Sequence, residues 1–211
     1  MKPRVLWDYF ELAETRSHAQ LIGRSLASIA REQGVTELDV LCEIALADDL
    51  NTRYNVMLGN FEEGPVAAIM KQPGAVFGQS DAGAHVAQLC DANMGTDLLS
   101  DWVRDRGVFT LEAAIHKLTW EPAKLFGLDD RGRVCEGAAA DLVVFDLDKL
   151  APGPLRRVRD LPGNEERLVA DEPAGIDHIF VNGVAITSNG ESRVATMDER
   201  PGTLLRARPQ K

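Results

Sequence analysis

Ala75-Val-Phe-Gly-Gln-Ser-Asp-Ala-Gly-Ala-His85 decides how this chain is read. A short apolar run ends in Ser80-Asp81, and small residues then lead to His85. A carboxylate delivered from the C-terminal end of a buried parallel strand is where a β/α barrel places reactive groups. The preceding residues support that placement. Residues 53–60 read as a strand, and Phe61-Glu-Glu-Gly-Pro65 opens a short helix with Pro65 near its first turn. Pro73-Gly74 breaks that helix, and residues 75–79 read as a second strand. Strand, helix, strand is the repeating unit of a parallel sheet.

Working outward, residues 1–50 read as mostly helical. Ser25 caps a helix carrying Leu26, Ile29 and Ala30, which Gly34 stops. Thr36-Glu-Leu-Asp39 resembles a capping box with Asp in the acidic position. Leu38, Leu41, Cys42 and Ala45 follow at i, i+3, i+4 and i+7, a spacing that predicts one buried face with Cys42 in it. Past His85 the chain is rich in small residues, with a helix expected around 97–106. Thr110 caps a helix bearing Leu111, Ala114, Ile115 and Leu118, and a short turn runs from Pro122 to Gly127. The period then changes. Arg133-Val-Cys135, Asp141-Leu-Val-Val-Phe-Asp146, Ile179-Phe-Val181 and Val184-Ala-Ile186 read as short strands, with Asn182-Gly183 a type I′ hairpin turn. Residues 148–175 read as a long loop, and 200–211 as a basic, extended tail. Two domains follow: 1–127, with a helical N-terminal segment, and 128–211, a small β domain with its tail.

Composition narrows the function classes. A formal net charge of −10 argues against nucleic acid or anionic membrane as a partner. No run approaches the ~18 apolar residues of a membrane span. Met1-Lys-Pro-Arg-Val-Leu-Trp-Asp8 does not read as a signal peptide, because Asp8 interrupts an already short apolar stretch, and none is expected. Cys42, Cys90 and Cys135 are odd in number and form no CxxC pair, so neither a disulfide framework nor a zinc knuckle is indicated. A reducing, cytoplasmic location fits best.

The block Glu136-Gly-Ala-Ala-Ala-Asp-Leu-Val-Val-Phe-Asp146, followed by Val181-Asn-Gly183, resembles the C-terminal end of the amidohydrolase superfamily. Leu21-Ile-Gly-Arg-Ser-Leu-Ala-Ser-Ile-Ala-Arg-Glu-Gln-Gly34, Val103-Arg-Asp-Arg-Gly-Val-Phe-Thr-Leu-Glu-Ala-Ala-Ile115 and Arg200-Pro-Gly-Thr-Leu-Leu-Arg206 are similar to its N-acyl-D-amino-acid deacylase (D-aminoacylase) group. The order and spacing of these blocks carry the resemblance from about residue 18 to residue 206. It implies an α/β fold: the C-terminal fragment of a metal-dependent-hydrolase β/α (TIM-like) barrel, plus part of the small β-sandwich domain. It also implies hydrolysis of a linear, non-peptide amide such as an N-acyl-D-amino acid, with zinc or a similar divalent metal in the complete enzyme.

One departure from that family bears on function. The family's His-x-His is absent: the four histidines are His18, His85, His116 and His178. A β/α barrel takes about 250 residues, and residues 50–127 supply only about two of its units. The expectation is therefore an incomplete C-terminal portion that holds no metal stably alone. Its partner would be an N-terminal half or a second copy of itself. A non-catalytic remnant or interaction subunit is the alternative.

Among individual residues, Asp81 is the candidate metal ligand and catalytic base, a role the resemblance implies. Taken alone it reads equally as a helix cap or Asx-turn residue. His85, four residues on, is the candidate donor to a substrate carboxylate, a role that the resemblance to related cyclic-amide hydrolases implies; taken alone it reads as a loop histidine satisfied by backbone. Gly83 keeps the segment small enough for close substrate approach, as it would in any tight turn. Asn60, with Glu62 and Glu63, is a candidate substrate contact, although helix capping is the plainer reading. His116 reads as a helix-surface residue and Cys90 as a buried structural thiol.

Overall fold

A computed structural model describes residues 6–78 and 80–206. Its contacts divide the chain into two units, Met1–Gln72 and Pro73–Lys211. The sequence reading puts its boundary at 127/128 instead. The helices of 94–125 share the second unit with the β domain.

In the first unit, β1 (Phe10–Glu14) and β2 (Arg53–Val56) form an antiparallel ladder, with Phe10 opposite Val56 and Leu12 opposite Tyr54. α1 (Leu26–Gln33) is capped by Ser25, whose side chain accepts from the Ser28 amide. α2 (Glu37–Ala47) begins with the reciprocal Thr36–Asp39 capping box, so two otherwise unpaired donors are satisfied. Leu12, Leu26, Ile29, Ala30, Val40 and Ile44 form the core, with Tyr54 packed against it. Asp48 ties the loops together. Its carboxylate accepts from the Arg16 amide at 3.1 Å, the Ser17 amide at 2.8 Å and the Thr52 hydroxyl at 3.0 Å. Hydrogen bonding from the Ser17 and Thr15 hydroxyls, then from the Ser17 and Arg16 amides, outweighs desolvation and holds the Asp48 carboxyl well below the usual carboxylate range. α3 (Glu63–Met70) completes the unit.

Several expectations for this unit need correction. β1 lies inside the stretch read as helical. β2 is four residues long rather than eight, and its ladder partner is antiparallel. The buried face of α2 is Val40 and Ile44, whereas Leu38 and Cys42 are exposed. Apolar residues surround most of α2, so periodicity admits more than one face. Packing against α1 and Tyr54 selects the one that is buried.

In the second unit, α4 (Met94–Asp97) runs directly into a π-helical stretch, Leu98–Asp105. α5 (Leu111–Leu118) is capped by Thr110, whose side chain accepts from Ala113, and α6 (Trp120–Leu125) follows. A four-stranded antiparallel sheet has the order β3 (Leu142–Phe145), β6 (Ile176–Val181), β7 (Val184–Ser188), β8 (Glu191–Ser192). Asn182 and Gly183 both have positive φ (47° and 80°) and pair Val181 with Val184, as a type I′ turn requires. Arg133-Val-Cys135 is not a strand; Val134 is 88% exposed, with nothing to pack on. The segment 148–175 is not a loop throughout. It folds into a separate hairpin, β4 (Leu155–Val158) with β5 (Arg167–Ala170). Arg104 holds its base, donating to the carbonyls of Leu147 at 3.1 Å and Leu150 at 2.5 Å. Residues 200–206 carry no regular structure; 207–211 of the expected tail lie outside the described residues.

Candidate functional site

The approach to Asp81 differs from expectation. Residues 75–78 form no strand, residue 79 lies outside the described residues, and no parallel pairing occurs among the described strands. A strand is a pairing state, and an apolar run without an adjacent strand has no ladder to join. Residues 75–77 are held instead by α5. Lys117 Nζ donates to the Ala75 carbonyl at 2.8 Å and sits 5.9 Å from the Phe77 ring centroid, and Phe77 meets Phe109 edge-on.

Beyond them the candidate residues form consecutive turns. The Ser80 hydroxyl accepts from the Ala82 amide at 3.3 Å, and the Asp81 carbonyl accepts from the Ala84 amide at 2.9 Å. The His85 carbonyl accepts from Gln88 at 2.6 Å and Leu89 at 3.1 Å. Asp81 and His85 both have left-handed backbones, φ 52° and 46°. Left-handed backbone at an Asp and a His within five residues costs conformational energy, and such positions recur at functional sites. The Asp81 carboxylate is exposed and is neither a helix cap nor an Asx-turn acceptor among the described residues. Gly83 has φ 95°, and a Cβ there would meet nothing within 4 Å.

Asp81, Gly83 and His85 thus share one exposed turn series. Asn60 belongs to the other unit. It is exposed, with φ 57°, and the residue preceding α3 as its cap is Glu62 rather than Asn60. His116 is exposed on α5, and Cys90 is buried at the end of the turn series, both as read from the sequence. A cavity of about 160 Å³ is lined by residues 127–131 and 203–206, and none of the candidates lines it.

Sequence reading missed what holds this turn series from behind. Leu168 donates its amide to the Val86 carbonyl, and Arg157 donates to the Ala87 carbonyl. The available signal was a pair of short β-compatible runs, Leu155-Arg-Arg-Val158 and Arg167-Leu-Val-Ala170, either side of Pro162-Gly163-Asn164.

The chemistry this arrangement offers is limited. Among the described residues, no three His, Cys, Asp or Glu side chains converge on a point that could hold a metal. A catalytic zinc takes about three protein ligands, so these residues do not fit that group by themselves. No described helix is long and apolar enough to cross a membrane.

An α/β chain with an exposed Asp–His turn series beside a small antiparallel sheet is the class of protein defined here. The model of the Amidohydrolase family matches residues 8–183, and the chain belongs to that family. N-acyl-D-glutamate deacylase of Alcaligenes xylosoxydans xylosoxydans is 40% identical over 115 residues, which cover 53% of this chain and 20% of that protein. D-aminoacylase of the same organism is 32% identical over 169 residues, covering 79% of this chain and 31% of that protein. A solved structure of N-acyl-D-glutamate deacylase from Bordetella bronchiseptica, complexed with zinc and a phosphonate inhibitor, is 28% identical with a TM-score of 0.48, covering 96% of this chain and 38% of that one. The chain therefore spans a fifth to about a third of the length of these curated relatives.

Proposed function

We propose that this chain supplies part of the site of a metal-dependent hydrolase that cleaves the C–N bond of an N-acyl-D-amino acid. The observation carrying this reading is family membership over residues 8–183, with deacylases of N-acyl-D-amino acids among the relatives. In this reading Asp81 is the metal ligand and base, His85 donates to the substrate carboxylate, and Gly83 admits the substrate. Asn60 is a further substrate contact. A divalent metal, when bound, would polarise the amide carbonyl and acidify a bound water. Asp81 alone cannot hold it, so no step is assigned through it here. The chain's own residues would accept a proton at the Asp81 carboxylate and orient the acid end of the substrate at His85.

The test is a graft. Residues 8–183 replace the matching segment of the Alcaligenes N-acyl-D-glutamate deacylase, and hydrolysis of a panel of N-acyl-D-amino acids is measured. Activity that Asp81→Ala abolishes supports the reading. A folded graft whose activity is indifferent to Asp81→Ala contradicts it. The second reading is a non-catalytic or interaction subunit. It is favoured by the finding that, among the described residues, no three His, Cys, Asp or Glu side chains are grouped so as to hold a metal. A folded but inert graft would support it.

A further inference from the structure

We infer that Arg157 is a positioning residue for the turn series that carries Asp81 and His85. The inference rests on the reading of those two as site residues. The hydrogen bonds within the series are local, linking residues at most four apart in sequence. Among the described residues, long-range hydrogen bonds from one rung of the β4–β5 ladder, where Arg157 stands opposite Leu168, restrain it. Leu168 turns its amide away from β4 and donates to the Val86 carbonyl at 2.8 Å. Arg157 Nη1 donates to the Ala87 carbonyl at 2.7 Å.

The guanidinium is itself held. Glu166 Oε1 lies 3.4 Å from Arg157 Nη1, and Glu166 Oε2 accepts from Arg159 at 3.0 Å. The Glu166 side chain is 13% exposed and that of Arg157 21%, so solvent competes weakly for either. A planar guanidinium can serve a carbonyl and a carboxylate at once; an ammonium offers no such fixed fork. Val86 and Ala87 directly follow His85, inside the turn that the His85 carbonyl closes onto Gln88 and Leu89. Fixing their carbonyls therefore fixes the backbone from which His85 projects and that leads, three residues past Ala87, to the buried Cys90. The hairpin acts on the site through two backbone carbonyls, without touching substrate.

The thiols give a readout that needs neither metal nor substrate. Cys90 is buried, while Cys42 and Cys135 are exposed. In a Cys42→Ser, Cys135→Ser background, labelling of Cys90 by a disulfide reagent reports release of the turn series. Arg157→Ala should accelerate labelling roughly tenfold or more, the loss of one charge-assisted hydrogen bond. Guanidinium ion at tens of millimolar should slow it again. In an active graft, Arg157→Ala should lower kcat/KM, with the same rescue. An unchanged labelling rate overturns the inference. So does an acceleration that guanidinium fails to reverse, or one that leaves kcat/KM of an active graft unchanged. Should Arg157→Ala fail to fold, Glu166→Gln is read by the same rate: faster labelling supports the inference, and an unchanged rate overturns it. Loss of the site reading shows differently, as a graft indifferent to Asp81→Ala with the labelling result intact.

Discussion

Gly175→Ala should unfasten the base of the β4–β5 hairpin. Gly175 has φ 79°, and a Cβ there would lie 2.6 Å from the Leu150 nitrogen, 2.7 Å from its Cα and 2.8 Å from the Lys149 carbonyl carbon. All three are backbone atoms, so no side chain can swing aside. Leu150 is itself 1% exposed, and its carbonyl is held by Arg104. The left-handed backbone costs an L-residue about 1–2 kcal/mol, and forcing an extra methyl into a packed site costs about 1–3 kcal/mol. Together they predict a loss of about 2–5 kcal/mol. Gly83→Ala is the control. Its φ is also positive, but nothing lies within 4 Å of the new Cβ, so only the conformational cost of about 1–2 kcal/mol remains. Urea unfolding followed by tryptophan fluorescence, in a Trp7→Phe background, reports on the second unit through Trp102 and Trp120. At about 2 kcal/mol per molar urea, Gly175→Ala should lower the midpoint by about 1–2.5 M. A Gly175→Ala midpoint no lower than that of Gly83→Ala would refute the reasoning.

In the first unit, Leu26→Ala empties a fully buried position among Leu12, Ile29 and Val40, and should cost about 3–5 kcal/mol by denaturant unfolding. The Asp48 carboxyl is depressed in the folded chain relative to its unfolded value of about 3.9. Its contribution to stability is therefore full above that value and is lost as pH falls toward the folded pKa. Stability measured from pH 5 downward should fall in the wild type, with a smaller slope in Asp48→Asn; equal slopes would contradict the assignment.

Local signals in the sequence were legible where one residue settles one geometry. Ser25, Thr36 with Asp39, and Thr110 cap the helices they were read to cap, and Asn182-Gly183 turns the hairpin. Each acts within three or four residues, so no distant partner can overrule it. Strands were less legible, because a strand exists only through its neighbour. Residues 10–14 read as helical until β2 is beside them, and residues 75–78 read as a strand although no ladder receives them. The helical face of α2 was misassigned for a related reason: its apolar residues encircle it, and tertiary packing makes the choice. At the candidate site, the grouping of Asp81, Gly83 and His85 in one turn series was legible because they sit together in the sequence. Arg157 and Glu166 were not, since about 70 residues separate Arg157 from the carbonyl it holds.

The proposal that this chain carries one part of an amidohydrolase site, and not a complete one, rests on the lack of a three-ligand group among the described residues. Metal analysis of the purified chain after exposure to zinc, paired with an N-acyl-D-amino-acid hydrolysis assay, tests it most directly. The account predicts no stoichiometric zinc and no hydrolysis by the chain alone. Near-stoichiometric zinc, with hydrolysis that disappears in Asp81→Ala, would contradict it.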